Sequence, residues 1–235
     1  MKLDIIWSNN DYDNFIKYLY SIQDVWYKQY HSKLILKKSL IGIRTPLLKK
    51  IAKQISKGDI DSFIKYNKHE LYEEVLIHGL IIGHIKDFNL MTKYLNKFYQ
   101  YIDNWSINDV TCCNLKIFKK HQEKGFKYIL TLIKNKDPWK IRVGLVLLLT
   151  YYINDNYITK LFDIAVSIEN DEYYVKLANA WLVANCYIKY PEITLEFIKS
   201  NRLNKWTHNR AIQKLRDAEK IPKSIKDELE LLKIK

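Results

Sequence analysis

The chain has 235 residues, 48% hydrophobic and 14% aromatic, and carries a formal charge of +13. Glycine (6) and proline (4) are too scarce for a β-sandwich or a doubly wound α/β protein, and the apolar content excludes a disordered chain. The charge suits a polyanionic partner, nucleic acid or an anionic membrane, unless a lysine-rich composition bias alone accounts for it. No Gly/Pro/Ser-rich linker interrupts the sequence, so one domain spanning 1–235 is expected. A domain of that size buries roughly 70% of its unfolded surface.

In chain order, the opening MKLDIIWSNN carries Asp4 and lacks a long apolar core, which argues against a signal peptide. Thr45, Pro46 and Gly58 bracket a helix as N-cap, first residue and terminator. A long apolar helix follows from Glu70. Its acidic residues Glu73 and Glu74 are expected on a solvated flank. Within it, His78 and His84 are six apart and share no helix face, so they read as core or surface residues rather than metal ligands. Ser106 and Asp109 have the S-x-x-D spacing of a capping box. Asp137-Pro138 repeats the cap-and-proline start. The apolar run from Val143 to Leu149 is too short to span a bilayer, so no membrane association is expected. Pro191 and Pro222 mark the first turns of two later helices. The three cysteines, Cys112, Cys113 and Cys186, form no C-x-x-C pair. They read as small buried hydrophobes in a reducing compartment, hence a cytoplasmic location.

Long apolar helices are predicted to begin near Glu70, Ser106, Asp137, Asp171 and Lys205, at steps of 36, 31, 34 and 34 residues. Two helices per step of this size is the signature of an α-solenoid. The expected fold is therefore all-α, an α–α superhelix of HEAT-like repeats, curved and with a basic concave face. Basic residues gather in three groups. The first is Arg44, Lys49, Lys50, Lys53 and Lys57, and the second is Lys116, Lys119 and Lys120. The third runs from Lys199 and Arg202 through Lys205, Arg210 and Lys214 to Arg216, with Trp206 among them. Such groups form either one phosphate-binding stripe or separate solvated helix faces.

No Gly-rich phosphate loop, G-x-S-x-G, H-E-x-x-H or EF-hand loop occurs. What stands out is polar and aromatic residues near repeat-helix starts. Trp105 and Asp109 are i, i+4, Trp139 and Arg142 are i, i+3, and Trp181 lies within YYVKLANAWLVANCY. Each also has a plain structural reading: a cap for Asp109, an interhelical ion pair for Arg142, core for Trp181.

The segments IGIRTPLLKKIAKQI, LYEEVLIHGLIIGHIK, YIDNWSINDV, WKIRVGLVLLLTYYI, DEYYVKLANAWLVANCYIKYPEITLEFIK and NKWTHNRAIQKLRD occur in that order. Together they resemble the DNA alkylation repair family of HEAT-like, AlkD-like glycosylases, over residues 10 to 235. The resemblance implies hydrolysis of the N-glycosidic bond of cationic N3- or N7-alkylated purines in duplex DNA. It implies Asp109 as the catalytic carboxylate, with Trp105, Trp181 and Arg142 contacting the lesion and its phosphate. Arg44, Lys49, Lys205, Arg210 and Lys214 are the expected backbone contacts. No metal or organic cofactor is implied, and the expected state is a monomer on double-stranded DNA containing alkylated bases. One departure from the family pattern is Ala184, where the resemblance leads one to expect a polar or basic side chain. The alternative reading is a noncatalytic HEAT-like protein recognising damaged or branched DNA. A third is a scaffold for protein partners.

Overall fold

The computed structural model describes residues 1–35 and 38–235. They fall into two units, Met1–His121 and Gln122–Lys235. Fourteen α-helices and two 3₁₀ turns make up the regular structure of the described residues, with no strand and one isolated bridge between Ser39 and Leu71.

The first unit holds α1 (Asn9–Ser21), α2 (Val25–Ser32), α3 (Thr45–Ile55), α4 (Ile60–Tyr66), α5 (Tyr72–Ile82), α6 (Phe88–Phe98) and α7 (Trp105–Asn114). Ser8, Asp24, Asp59, Asp87 and Asn104 each cap a helix N-terminus through the side chain. Each satisfies an N–H that has no partner inside its helix. Arg44, not Thr45, is the N-cap of α3, so Pro46 falls at the second helical position, where its missing N–H still costs nothing. Gly58 lies beyond the helix end.

Helix α5 is the core of this unit. Every residue from Tyr72 to Ile82 is buried, between α3, α6 and α7. A helix apolar on all sides must be covered on all sides. Glu73 and Glu74 are therefore buried, against the expectation of a solvated flank. Both sit in the first turn of α5, and their carboxylates accept backbone N–H groups there. Glu73 accepts from Ile41 (2.9 Å), Gly42 (2.7 Å) and Ile43 (3.1 Å). Glu74 accepts from Glu70 and Leu71, both at 2.8 Å, and from the Tyr12 hydroxyl. Burial, then the Glu74 carboxylate, pushes the Tyr12 phenol pKa far up.

Gly83, at the end of α5, lets α7 approach. A Cβ there would lie 2.2 Å from Asn114 Nδ2 and 2.7 Å from the Asn114 carbonyl oxygen. Backbone cannot swing aside as a side-chain tip can, so Gly83→Val should push α7 off α5. We expect a loss of about 1–3 kcal/mol, a melting midpoint lower by roughly 2–12 °C. A midpoint unchanged in calorimetry would show that the α5–α7 contact adjusts freely.

His78, also on α5, is core as expected, with its Nδ1 2.8 Å from His69 Nε2. The His69 ring stacks on Tyr101 at 3.7 Å and 7°. Burial lowers the His78 pKa to about 3 and that of His69 to about 4, so both imidazoles are neutral in the folded state. In the unfolded chain each takes up a proton below about pH 6.5. The unfolded state thus binds more protons as pH falls from 6.5 towards 4, and stability should fall over that window. The expected loss is on the order of 3 kcal/mol, read as a drop in urea midpoint from pH 7 to pH 4.5. His78→Phe should flatten the slope, and an equal slope in that variant would reject the assignment.

The second unit holds α8 (Gln122–Ile133), α9 (Pro138–Tyr151), α10 (Ile158–Val166), α11 (Tyr173–Lys189), α12 (Pro191–Lys199), α13 (Lys205–Asp217) and α14 (Lys223–Leu231). Helices α9, α11 and α13 pack side by side. Helix α8 covers α9, α10 and α12 cover α11, and α14 covers α13. The first unit repeats the scheme, with α3, α5 and α7 in a row and α6 against α5. The predicted starts at Glu70, Ser106, Asp137, Asp171 and Lys205 all fall within two residues of α5, α7, α9, α11 and α13. The chain is an all-α protein of paired helices, as an α–α repeat fold requires.

Candidate functional site

Helix α7 carries Trp105 as its first residue and Asp109 one turn later, on one face. Both are half-buried. The cap of α7 is Asn104, whose side chain accepts the Ile107 N–H at 3.0 Å. This corrects the Ser106–Asp109 capping box: the N-cap lies two residues earlier, at Asn104, so Asp109 lies beyond capping reach. Ser106 instead meets the Tyr72 hydroxyl at 2.7 Å in the core. At the other end of α7, Asn114 Nδ2 donates to the Leu80 carbonyl at 2.9 Å. Both tethers run to α5, so the face bearing Trp105 and Asp109 rides on the most buried helix of its unit.

In the second unit, Arg142 is only 3% exposed. Its guanidinium donates to the Tyr174 carbonyl at 2.6 Å and lies 5.8 Å from the centre of the Tyr174 ring. Trp139 stacks on the same tyrosine at 5.5 Å and 28°. The arginine therefore holds α9 to the first turn of α11. Trp181, on α11, is half-buried, and the Lys214 ammonium lies over its ring at 5.9 Å. That indole face already holds a cation. Ala184 is buried, so its small size suits the packing of α11.

The basic groups differ in how far they are neutralised. Arg44 is exposed and pairs with Asp24 at 2.8 Å, 5.2 Å from the Tyr27 ring. The Tyr27 backbone N–H, then the Arg44 guanidinium, hold the Asp24 carboxyl below its usual range. Lys49 and Lys53 are exposed on one face of α3. In the third group, Lys199 pairs with Glu196 (3.0 Å), Arg202 with Asp163 (3.0 Å) and Arg216 with Glu230 (2.8 Å). Lys205 and Arg210 line a cleft of about 760 Å³, walled by Tyr173 and Trp206. Tyr173 and Tyr174 are not among the residues the sequence motifs single out. The available signal was an aromatic at the start of every other helix: Trp105, Trp139, Tyr173 and Trp206 recur at repeat intervals.

Cys112 and Cys186 are buried as expected, but Cys113 is exposed, since adjacent helical residues point to different sides. Among the described residues, no group of three His, Cys, Asp or Glu side chains is placed to hold a metal ion. Nor is any of their helices long and apolar enough to cross a membrane.

No curated protein matches the chain closely enough to be informative. The family profile described as DNA alkylation repair enzyme matches residues 25–215, which include α7, α9, α11 and nearly all of α13. With four-fifths of its length matched and its helices paired throughout, the chain belongs to the DNA alkylation repair enzyme family.

Proposed function

We propose that the protein is a monofunctional DNA glycosylase that releases cationic N3- or N7-alkylpurines from duplex DNA. The observation that carries this reading is the Trp105–Asp109 pair on one face of α7, with capping assigned to Asn104. A positively charged purine departs neutral, taking the electrons of the broken C1′–N bond, so little acid catalysis is needed. Positive charge then builds on the sugar, as in glycoside hydrolysis. The Asp109 carboxylate stabilises that charge and orients water, whose oxygen bonds to C1′ as its proton passes to that carboxylate. Trp105 offers an electron-rich face to the cationic nucleotide, worth roughly 0.5–2 kcal/mol. Exposed cations such as Lys49 and Lys205 meet backbone phosphates, so affinity should fall steeply with salt. The protein would act as a cytoplasmic monomer, without metal or organic cofactor.

A second reading is a noncatalytic DNA binder for damaged or branched DNA. The buried Arg142, the lysine already over Trp181 and the small Ala184 favour it, because each removes a group expected at the lesion. Incubation with N-methyl-N-nitrosourea-treated duplex separates the two. The first reading expects free methylpurine in excess of a no-enzyme control. Tight binding with no release selects the second.

A further inference from the structure

The second unit presents an aromatic ladder that base release at Asp109 does not use. Trp139 stacks on Tyr174 at 5.5 Å, Tyr174 meets Tyr173 at 5.3 Å, and Tyr173 meets Trp206 at 5.9 Å. The rings thus connect the first turns of α9, α11 and α13. They are not core: Tyr173 is 52% exposed and Tyr174 40%. Exposed rings in contact with one another offer flat surfaces on which a planar ligand can stack.

The ladder ends at the cleft of about 760 Å³, large enough for a nucleobase with its sugar and phosphate. Tyr173 and Trp206 supply its flat apolar surfaces, and Lys205, Arg210 and Lys233 its charge. Lys233 shares the Glu230 carboxylate with Arg216, each at 2.8 Å, so it is only partly balanced. Lys176, balanced by Asp171 at 3.4 Å, lies 5.3 Å from the Trp206 ring and so occupies one face of that indole, which leaves Tyr173 as the open ring of the cleft. Lys205 and Arg210 pair with no carboxylate among the described residues, and the buried Nε of Arg210 has no hydrogen-bond partner there. Two uncompensated cations beside the exposed Tyr173 ring and the half-buried Trp206 match the two halves of a single strand, phosphate and unpaired base. Duplex DNA offers the phosphates but keeps its base faces stacked. Ring faces recognise every base, so the site would be tolerant of sequence.

We propose that the Tyr173–Trp206 cleft and its ladder bind unpaired nucleotides of a DNA strand, holding single-stranded DNA by stacking as well as by charge. This rests on the DNA-binding part of the proposed function and not on base release.

The test is anisotropy titration of the full chain with three labelled probes at one salt concentration: a dodecathymidylate, an abasic tetrahydrofuran–phosphate dodecamer of equal charge, and a 12-base-pair duplex. The thymidylate should bind about tenfold or more tightly than the baseless polymer. Tyr173→Ala and Trp206→Ala should each weaken thymidylate binding about tenfold and leave the baseless polymer unchanged, while Trp206→Phe restores most of the loss. Tyr173 is exposed, so its variant keeps the fold if Trp206→Ala does not. Equal affinity for thymidylate and baseless polymer, or no change in Tyr173→Ala, overturns the inference. Binding to duplex alone overturns it while sparing the proposed function; binding to none of the three overturns both.

Discussion

Asp109→Asn should reduce methylpurine release from alkylated duplex by about 10²–10³-fold, with duplex affinity unchanged within about threefold. Asparagine has nearly the same shape, so the α7 helix and its Asn104 cap should persist. What disappears is a full negative charge, where positive charge forms on the sugar. Asparagine also has no proton-accepting carboxylate, so orientation of water is weakened as well. Release should be measured in single-turnover reactions, which separate bond cleavage from product release. A thermal melt alongside keeps a folding defect from passing as a chemical one. Equal release by the variant and wild type would reject Asp109 as the catalytic residue, whatever the fate of DNA binding.

Glu73→Ala should be the most damaging single change to stability, by about 3–5 kcal/mol. The Glu73 carboxylate is fully buried and accepts three consecutive N–H groups, from Ile41, Gly42 and Ile43. Ile41 and Ile43 are core residues, so those donors have no route to water once the acceptor is removed. The segment cannot easily refold around the gap. Gly42 sits at φ +101 against Lys28 and the Asp24 carbonyl, a conformation only glycine adopts without strain. The melting midpoint should fall by roughly 6–20 °C. Glu73→Gln should recover part of the loss, because its amide oxygen can still accept from two of the three donors. A Glu73→Ala midpoint within 3 °C of wild type, on the scale of roughly 2–4 °C per kcal/mol, would show that the segment does not depend on this carboxylate.

These residues show unequal legibility in the sequence. Trp105 and Asp109 were legible together because i, i+4 spacing on one helix fixes a shared face before any packing is known. Glu73 reads as solvated in the sequence, because its neighbours along the chain offer no sign of a partner. The donors lie about thirty residues earlier, as the sequence separations of 30 to 32 show. Arg142 and Trp181 were legible as unusual residues, but not in their surroundings. Tyr174 reaches Arg142 and Lys214 reaches Trp181 only through helix packing. The third basic group looked uniform along the chain. Pairing with Glu196, Asp163 and Glu230 divides it, and Asp163 is 39 residues from its partner Arg202.

The sequence by itself determined that the chain is all-helical, where its repeat helices begin, and which family it belongs to. Those properties rest on local signals: apolar period, caps, prolines and runs of neighbouring residues. Only the tertiary structure decided which charges are buried, which cations are already paired, and which aromatics meet at the cleft of α11 and α13. Those outcomes depend on contacts between residues far apart in sequence, made when one helix is laid against another.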